Sequence, residues 1–221
     1  MSISVEAVEP SPEVSGLPTR MGGVRTRLGI MGGTFDPIHY GHLVTAEEAL
    51  HQFELDGVVF VPTGQPWMKE HEVVSGAEDR YLMTVIATAS NPLFRVSRME
   101  VDRDGPTYTV DTLRGMKAEL GEDTDLFFVT GADAILEIFQ WKHREELFDL
   151  AHFIAATRPG YDIEAFGAHR PSSVPDITVM NIPALAISST DVRTRVHAQS
   201  PIRYLVPEGV KSYIEKAGLY R

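Results

Sequence analysis

Short apolar runs alternate along this chain with longer stretches in which apolar residues recur at helical spacing. Most of the short runs are continuously apolar, as is typical of strands covered on both faces of a parallel sheet. They predict strands at residues 28–31, 57–61, 94–96 with a continuation toward 101, 126–130, 152–156 and 177–180. The longer stretches predict helices at residues 43–53, 77–90, 110–120, 132–139, 145–150, 190–197 and 208–217. Because crossovers between parallel strands are right-handed, this order predicts a single α/β domain with a doubly wound, Rossmann-like parallel sheet.

The N-terminal stretch lacks this alternation. Residues 1–24 are rich in Ser, Pro, Glu and Gly without apolar periodicity, so they are predicted to form a disordered leader. No linker rich in Pro and Gly divides the chain after residue 25, which predicts one domain over residues 25–221.

Composition and charge narrow the function. The 221 residues include 20 Lys and Arg against 31 Asp and Glu, a formal charge of −11 that disfavours nucleic-acid and anionic-membrane partners. No apolar run approaches the roughly 20 residues that span a bilayer, and a signal-peptide pattern is absent, so a soluble cytoplasmic protein is expected. The lack of cysteine excludes disulfides, thiolate metal ligands and cysteine nucleophiles. A polyanionic ligand would therefore need a local electropositive pocket.

The first predicted strand leads into the string GGTFDPIHYGH at residues 32–42. Gly32 and Gly33 allow backbone N–H groups to approach a ligand closely, and the following helix presents its N-terminus, which favours phosphate. His39 and His42 are three residues apart, so within one helical turn both can face the same ligand. The spacing matches neither the Walker loop nor the dinucleotide-binding glycine motif.

A second candidate phosphate site lies late in the chain, at residues 187–193 with the string ISSTDVR. Three hydroxyl residues stand at a predicted helix start, and Arg193 follows one turn later, so hydroxyls, helix N–H groups and a guanidinium could bind phosphate together. The same residues also fit a simple helix cap, in which Ser188 and Asp191 need no ligand.

These two strings resemble the GxFxPxHxGH and ISSTxxR signatures of the nucleotidyltransferase superfamily. From about Arg27 onward the chain is similar to the bacterial nicotinate-mononucleotide adenylyltransferases. The resemblance implies the reaction of ATP with nicotinate mononucleotide to give deamido-NAD and pyrophosphate. It implies catalytic roles for His39, His42 and Arg193, and ATP binding by Gly32, Gly33, Thr34, Phe35, His39, His42, Arg158, Ser189, Thr190 and Arg193.

The middle of the chain carries the residues that the resemblance implies for the acceptor. The string GPTYTVDTL at residues 105–113, the GAD string at 131–133 and Trp141 match the family pattern, and the RPG string at 158–160 belongs near the adenylate phosphates. The implied nicotinate mononucleotide ligands are Lys69, Thr109, Asp133, Trp141 and Lys142. Two departures stand out, because Trp67-Met68 and Lys142 replace residues usual in the family. Structural alternatives stay open for these residues: Lys69 as an exposed loop lysine, Asp133 as an N-cap and Trp141 as a core residue. The RPG string could likewise be a plain turn.

For the implied reaction we expect a direct displacement assisted by positioning and charge, which needs no triad for nucleophilic catalysis. Mg²⁺ is expected to arrive bound to the ATP phosphates, with no dedicated protein metal site. The alternatives are another superfamily transferase, such as a pantetheine-phosphate adenylyltransferase or a cytidylyltransferase, and a nonenzymatic nucleotide sensor. Assembly into a homo-oligomer is left open by the sequence.

Overall fold

The computed structural model describes residues 24–66, 75–132, 134, 138, 141–157, 177–183 and 185–221. Its strands are β1 (Thr26–Gly33), β2 (Gly57–Pro62), β3 (Gln65–Pro66), β4 (Phe94–Val96), β5 (Pro106–Thr107), β6 (Thr124–Gly131), β7 (His152–Thr157) and β8 (Thr178–Asn181). Its helices are α1 (Tyr40–Gln52), α2 (Ala77–Thr88), α3 (Thr109–Leu120), α4 (Arg144–Leu150), α5 (Ser189–His197) and α6 (Glu208–Ala217).

One parallel sheet organises these elements, with the strand order β4-β2-β1-β6-β7-β8. Every neighbouring pair in it is parallel, as the continuously apolar strands predict. The order reverses direction between β1 and β6, which is the point where open α/β sheets bind ligands outside the carboxyl ends of their strands. The predicted doubly wound α/β fold is therefore confirmed.

Alternate residues of the central strands face two separate apolar layers. On β6, Phe127 and Val129 pack with helices α1, α2, α5 and α6, whereas Leu126 and Phe128 pack with α3 and α4 on the opposite face. Both layers contain fully buried side chains, so the sheet is covered on each side and its carboxyl edge is fixed.

The structure corrects some predicted elements. Strand β4 ends at Val96, and the continuation toward Val101 is wrong, because the backbone turns there with a bond from the Asp102 N–H to the Arg98 carbonyl (2.9 Å). The paired strands β3 and β5 were missed, since two residues each are too short to show a period. Helix α1 begins at Tyr40, three residues before its predicted start. Most of the predicted helix at 132–139 and nearly all of the leader lie outside the described residues.

Among the residues that the structure describes, no helix is both long and apolar enough to traverse a bilayer.

Candidate active site

A cavity of about 460 Å³ opens at the switch point between β1 and β6. It is lined by the ends of both strands, the loop before α1, the first turn of α1 and the start of α5. The lining includes Gly32, Gly33, Phe35, His39, His42, Thr130, Gly131, Ser188 and Ser189. Residues of the two distant strings singled out in the sequence therefore meet at one cavity.

His39 and His42 form the centre of this lining. His39 lies immediately before α1 and has an extended backbone. Its imidazole ring stacks on that of His42, with a centroid distance of 3.8 Å and an interplanar angle of 24°. The His39 backbone N–H donates to Nδ1 of His42 (3.2 Å). An imidazole whose Nδ1 accepts a hydrogen bond carries its hydrogen on Nε2, so His42 is held as a donor through that atom.

Glycine is required for this packing at two positions. A Cβ built on Gly41 would lie 2.9 Å from the His39 ring, and one on Gly33 would lie 2.8 Å from the Phe35 ring. Phe35 in turn contacts the His42 ring edge-on, with centroids 5.1 Å apart. Both glycines therefore serve to bring an aromatic ring against the backbone beside the cavity.

Helix α5 is hydrogen-bonded to the loop between β1 and α1, residues 34–39, here called the histidine loop. Ser189 Oγ donates to the Pro37 carbonyl (2.9 Å), and Arg193 Nη1 donates to the Asp36 carbonyl (2.7 Å). Arg193 Nη2 also contacts Thr190 Oγ1 (3.3 Å). Thr190 and Arg193 thus lie beside the histidine loop but do not line the cavity in this conformation.

The cap that competed with phosphate binding is also present, because the Asp191 N–H donates to Ser188 Oγ (3.1 Å). Ser188 therefore caps α5, and Ser189 and Arg193 hydrogen-bond to the loop backbone, while phosphate binding by this segment stays a prediction.

Arg80, on α2, was missed by the sequence analysis. Its side chain is 1% exposed and donates to three backbone carbonyls, those of Thr34 (2.9 Å), Gly64 (2.8 Å) and Ser75 (3.0 Å). Burial lowers the pKa of Arg80, while the charge of Asp36 opposes that shift. Thr34, predicted to bind ATP, turns its carbonyl to this guanidinium and does not line the cavity. A signal existed, since Arg80 shares a helical face with buried Met83, Thr84 and Ala87.

Asp36 occupies the middle of the histidine loop and is 3% exposed. Its carboxylate accepts hydrogen bonds from the Ser75 N–H (3.3 Å) and from the hydroxyl of Tyr220 (2.7 Å). Burial raises the pKa of Tyr220 above its ordinary value, and the hydrogen bond to Asp36 adds to that shift. Both carboxylate oxygens therefore accept hydrogen bonds from the protein itself, and Asp36 is not among the residues that line the cavity.

The described residues predicted to bind the acceptor, Thr109, Trp141 and Lys142, lie on the α3 and α4 side of the sheet. Trp141 is half-buried and meets the Phe128 ring edge-on at 5.9 Å, and Phe128 lies directly under Gly32. The Lys142 ammonium lies over the Tyr108 ring (4.2 Å) and 4.0 Å from the Asp111 carboxylate. Thr109 is the first residue of α3. None of these side chains lines the cavity, and the predicted ligands Lys69, Asp133 and Arg158 lie outside the described residues.

Glu100, a second residue that the sequence analysis missed, supports the GPTYTVDTL segment. It is 6% exposed and accepts a hydrogen bond of 2.5 Å from Thr112 Oγ1. Burial raises the pKa of Glu100, while hydrogen bonds from Thr112 and Thr107 act in the opposite direction. The carboxyl group therefore joins the start of α3 to the segment after β4.

Comparisons with known proteins agree with this geometry. Residues 30–195 match the family model described as cytidylyltransferase-like. A probable nicotinate-nucleotide adenylyltransferase of Acidothermus cellulolyticus is 56% identical over 207 residues, covering 91% of this chain and 97% of the relative. One from Streptomyces coelicolor is 60% identical and covers 86% of this chain and 99% of the relative.

Solved structures show the same fold. The nicotinic acid mononucleotide adenylyltransferase of Plasmodium falciparum, complexed with NaAD, matches with a TM-score of 0.74 at 24% identity, covering 88% of this chain and 97% of that one. The resemblance drawn from the residue strings is confirmed by the sequence relatives. The chain belongs to the cytidylyltransferase-like family and, within it, to the nicotinate-nucleotide adenylyltransferases.

Proposed function

We propose that the protein transfers the adenylyl group of ATP to nicotinate mononucleotide, giving deamido-NAD and pyrophosphate in NAD biosynthesis. The observation that supports this most directly is the meeting of His39, His42 and the start of α5 at the cavity between β1 and β6. These groups are hydrogen-bond donors and a helix N-terminus, which suits a phosphate chain. The family of the relatives named above supplies the choice of acceptor.

The reaction is an in-line displacement at the α-phosphorus of ATP. A phosphate oxygen of nicotinate mononucleotide forms the new bond to that phosphorus, and the bond to the bridging oxygen breaks. Pyrophosphate leaves with the electron pair. The attacking phosphate is already an anion, so neither a general base nor a covalent enzyme intermediate is required.

The protein has to bring two anions together while negative charge grows on the leaving group. His42, held as a donor through Nε2, and the neighbouring His39 face the cavity where that charge would develop. Arg193 and Thr190 lie at the adjoining helix start and supply positive charge and a hydroxyl to the β and γ phosphates. Backbone N–H groups around Gly33 to Phe35 complete this cradle, and Arg158 adds charge near the adenylate.

Mg²⁺ fits this site as a companion of the triphosphate. Within the described ranges, no group of three or more His, Asp or Glu residues could hold a metal ion, and the buried Asp36 carboxylate is engaged by Ser75 and Tyr220. The cation would be held by phosphate oxygens and water. When bound, Mg²⁺ neutralises charge on the phosphates.

The acceptor would be recognised from the α3 and α4 side. Trp141 offers an aromatic face for the pyridine ring, Thr109 a hydroxyl beside the ring substituent, and Lys142 a cation near a nicotinate carboxylate. Lys69 and Asp133 would hold the acceptor phosphate and ribose. A cytoplasmic location stays a prediction from the sequence, which leaves assembly into a homo-oligomer open.

The test is a measurement of pyrophosphate release from ATP with each of three acceptors: nicotinate mononucleotide, nicotinamide mononucleotide and phosphopantetheine. Rapid release with nicotinate mononucleotide, abolished by EDTA and restored by Mg²⁺, is expected. Preferential use of phosphopantetheine would overturn the proposed acceptor. ATP binding without release in any mixture would indicate a nucleotide sensor.

A further inference from the structure

The C-terminal end of the chain makes a direct contact with the histidine loop. The hydroxyl of Tyr220, the penultimate residue, donates to Oδ1 of Asp36 at 2.7 Å, across 184 residues of sequence. Asp36 is 3% exposed, so water does not compete freely for this carboxylate. Since the Tyr220 pKa lies above its ordinary value, the phenol keeps its proton and acts as a donor near neutral pH.

Asp36 connects this contact to the candidate phosphate ligands. Its backbone carbonyl accepts the hydrogen bond from Arg193 Nη1 (2.7 Å), and the next carbonyl, of Pro37, accepts the bond from Ser189 (2.9 Å). His39 follows two residues later. A change in the orientation of Asp36 would therefore be transmitted to both halves of the phosphate site.

Two guanidinium groups act electrostatically on the pair formed by Asp36 and Tyr220. Asp36 and Tyr220 both interact electrostatically with buried Arg80, and the charge of Arg193 also acts on Tyr220. Two directed hydrogen bonds, from the Tyr220 hydroxyl and the Ser75 N–H, fix the carboxylate orientation in this setting. Without the hydroxyl, one oxygen of a buried carboxylate would lose its described donor and would turn toward a cation.

We propose that Tyr220 is a positioning residue for adenylyl transfer. Its hydrogen bond fixes Asp36, so that the Asp36–Pro37 backbone holds Arg193 and Ser189 in register with His39 and His42. This inference rests on the proposed function, and the ligand concerned is the triphosphate of ATP.

The chain offers a matched control for the test. Tyr213, on α6, also donates a 2.7 Å hydrogen bond to an aspartate, Asp79 of α2, and both tyrosines pack against the same apolar layer. Asp79 does not belong to the histidine loop or line the cavity. Tyr213→Phe and Tyr220→Phe therefore remove the same hydroxyl and the same kind of bond from the same end of the chain.

Both variants are expected to fold and to lose a few degrees of melting temperature. Only Y220F is expected to lower kcat for pyrophosphate release, by about tenfold, and to raise KM for ATP by a smaller factor, because misplaced phosphate ligands weaken ATP binding less than they disturb the reacting geometry. In an Asp36→Asn background the hydroxyl meets a neutral amide oxygen, so adding Y220F should lower kcat by a smaller factor.

An unchanged kcat in Y220F, or an equal loss in Y213F, would overturn the proposal. So would full additivity of Y220F and D36N, because the effect would then not pass through Asp36. If the wild-type protein releases no pyrophosphate with nicotinate mononucleotide, the proposed function fails. The role of Tyr220 is then decided by calorimetric titration with Mg·ATP, in which a weakened affinity in Y220F but not in Y213F supports it and equal affinities refute it.

Discussion

The part of the candidate site proposed to bind ATP, here called the donor side, and the part proposed to bind nicotinate mononucleotide, the acceptor side, are built differently. On the donor side, side chains donate to the backbone carbonyls of Thr34, Asp36 and Pro37, so the proposed phosphate cradle is held by hydrogen bonds within the protein. On the acceptor side, the candidate ligand Lys142 has a side chain that is 46% exposed and that contacts Tyr108 and Asp111. From this difference we expect the transfer chemistry to depend on the fold, and the acceptor choice to depend on side chains that can change with little structural penalty.

The largest effect on stability is expected from substitution of Arg80, which binds the carbonyl of Thr34 in the histidine loop and the carbonyl of Gly64 after β2. Arg80→Met should lower the free energy of unfolding by about 3 kcal/mol, because three backbone carbonyls, of which the Gly64 carbonyl makes a buried bond, lose their donor and Asp36 loses a buried cation. Urea denaturation measures this loss. Arg80→Lys keeps the charge but cannot reach all three carbonyls, so it should fall between wild type and R80M; an R80M protein of wild-type stability would contradict this account.

A substitution of His42 tests the chemistry of the donor side separately from the stability of the fold. His42→Ala should lower kcat for pyrophosphate release by roughly 10²–10³, as is typical when one well-placed donor to developing charge is removed. The melting temperature should change little, since the His42 side chain is only half-buried. His51→Ala, an exposed histidine in the last turn of the same helix, is the matched control and should retain normal turnover.

Lys142 tests the acceptor side. Lys142→Met should raise KM for nicotinate mononucleotide about two- to fivefold, because an exposed cation contributes only about 0.5–1 kcal/mol to a contact with an anion or ring. KM for nicotinamide mononucleotide and kcat for both should hardly change. Lys216→Met, an exposed lysine in the last turn of α6, controls for the altered net charge. An equal rise for both mononucleotides would show that Lys142 does not read the carboxylate.

Glu100 gives the smallest effect, visible as a pH dependence. Its pKa in the folded protein lies above the ordinary value of 4.5, so the folded state holds this proton more tightly than the unfolded state does. Its contribution to stability is present below pH 4.5 and is lost as the pH rises through the folded pKa. Unfolding free energies of wild type and Glu100→Gln, measured from pH 4 to pH 8, should therefore diverge in favour of E100Q as the pH rises. A constant difference would contradict the raised pKa.

The sequence predicted the parts of the site that are contiguous in the chain. The glycine turn, the histidine pair and the start of α5 each occupy one short string, and the strand order then brings them together at one edge. Arg80, Asp36 and Tyr220 could not be joined in this way, because their contacts link residues up to 184 positions apart through backbone carbonyls and a single hydroxyl. No periodicity encodes which carbonyl a buried guanidinium will reach.

The acceptor side was harder for a different reason. Glu100 and Thr112 meet between a turn and a helix, and the two-residue strands β3 and β5 carry too little pattern to be recognised. The candidate acceptor ligand Thr109 is the first residue of α3, and Lys142 is an exposed residue just before α4. Residues in such positions belong to no periodic pattern, so the sequence marks them only weakly.

The bridge between β3 and β5 has a consequence for engineering. The chain enters the segment 67–74 from Pro66, which pairs with Thr107, and it leaves at Ser75, whose N–H and carbonyl are bound by Asp36 and Arg80. Just before the bridge, a Cβ on Gly64 would lie 2.0 Å from the Glu100 carbonyl oxygen, so this approach cannot shift. Both flanking positions are therefore held by described contacts, so we expect substitutions within residues 67–74 to leave this scaffold in place.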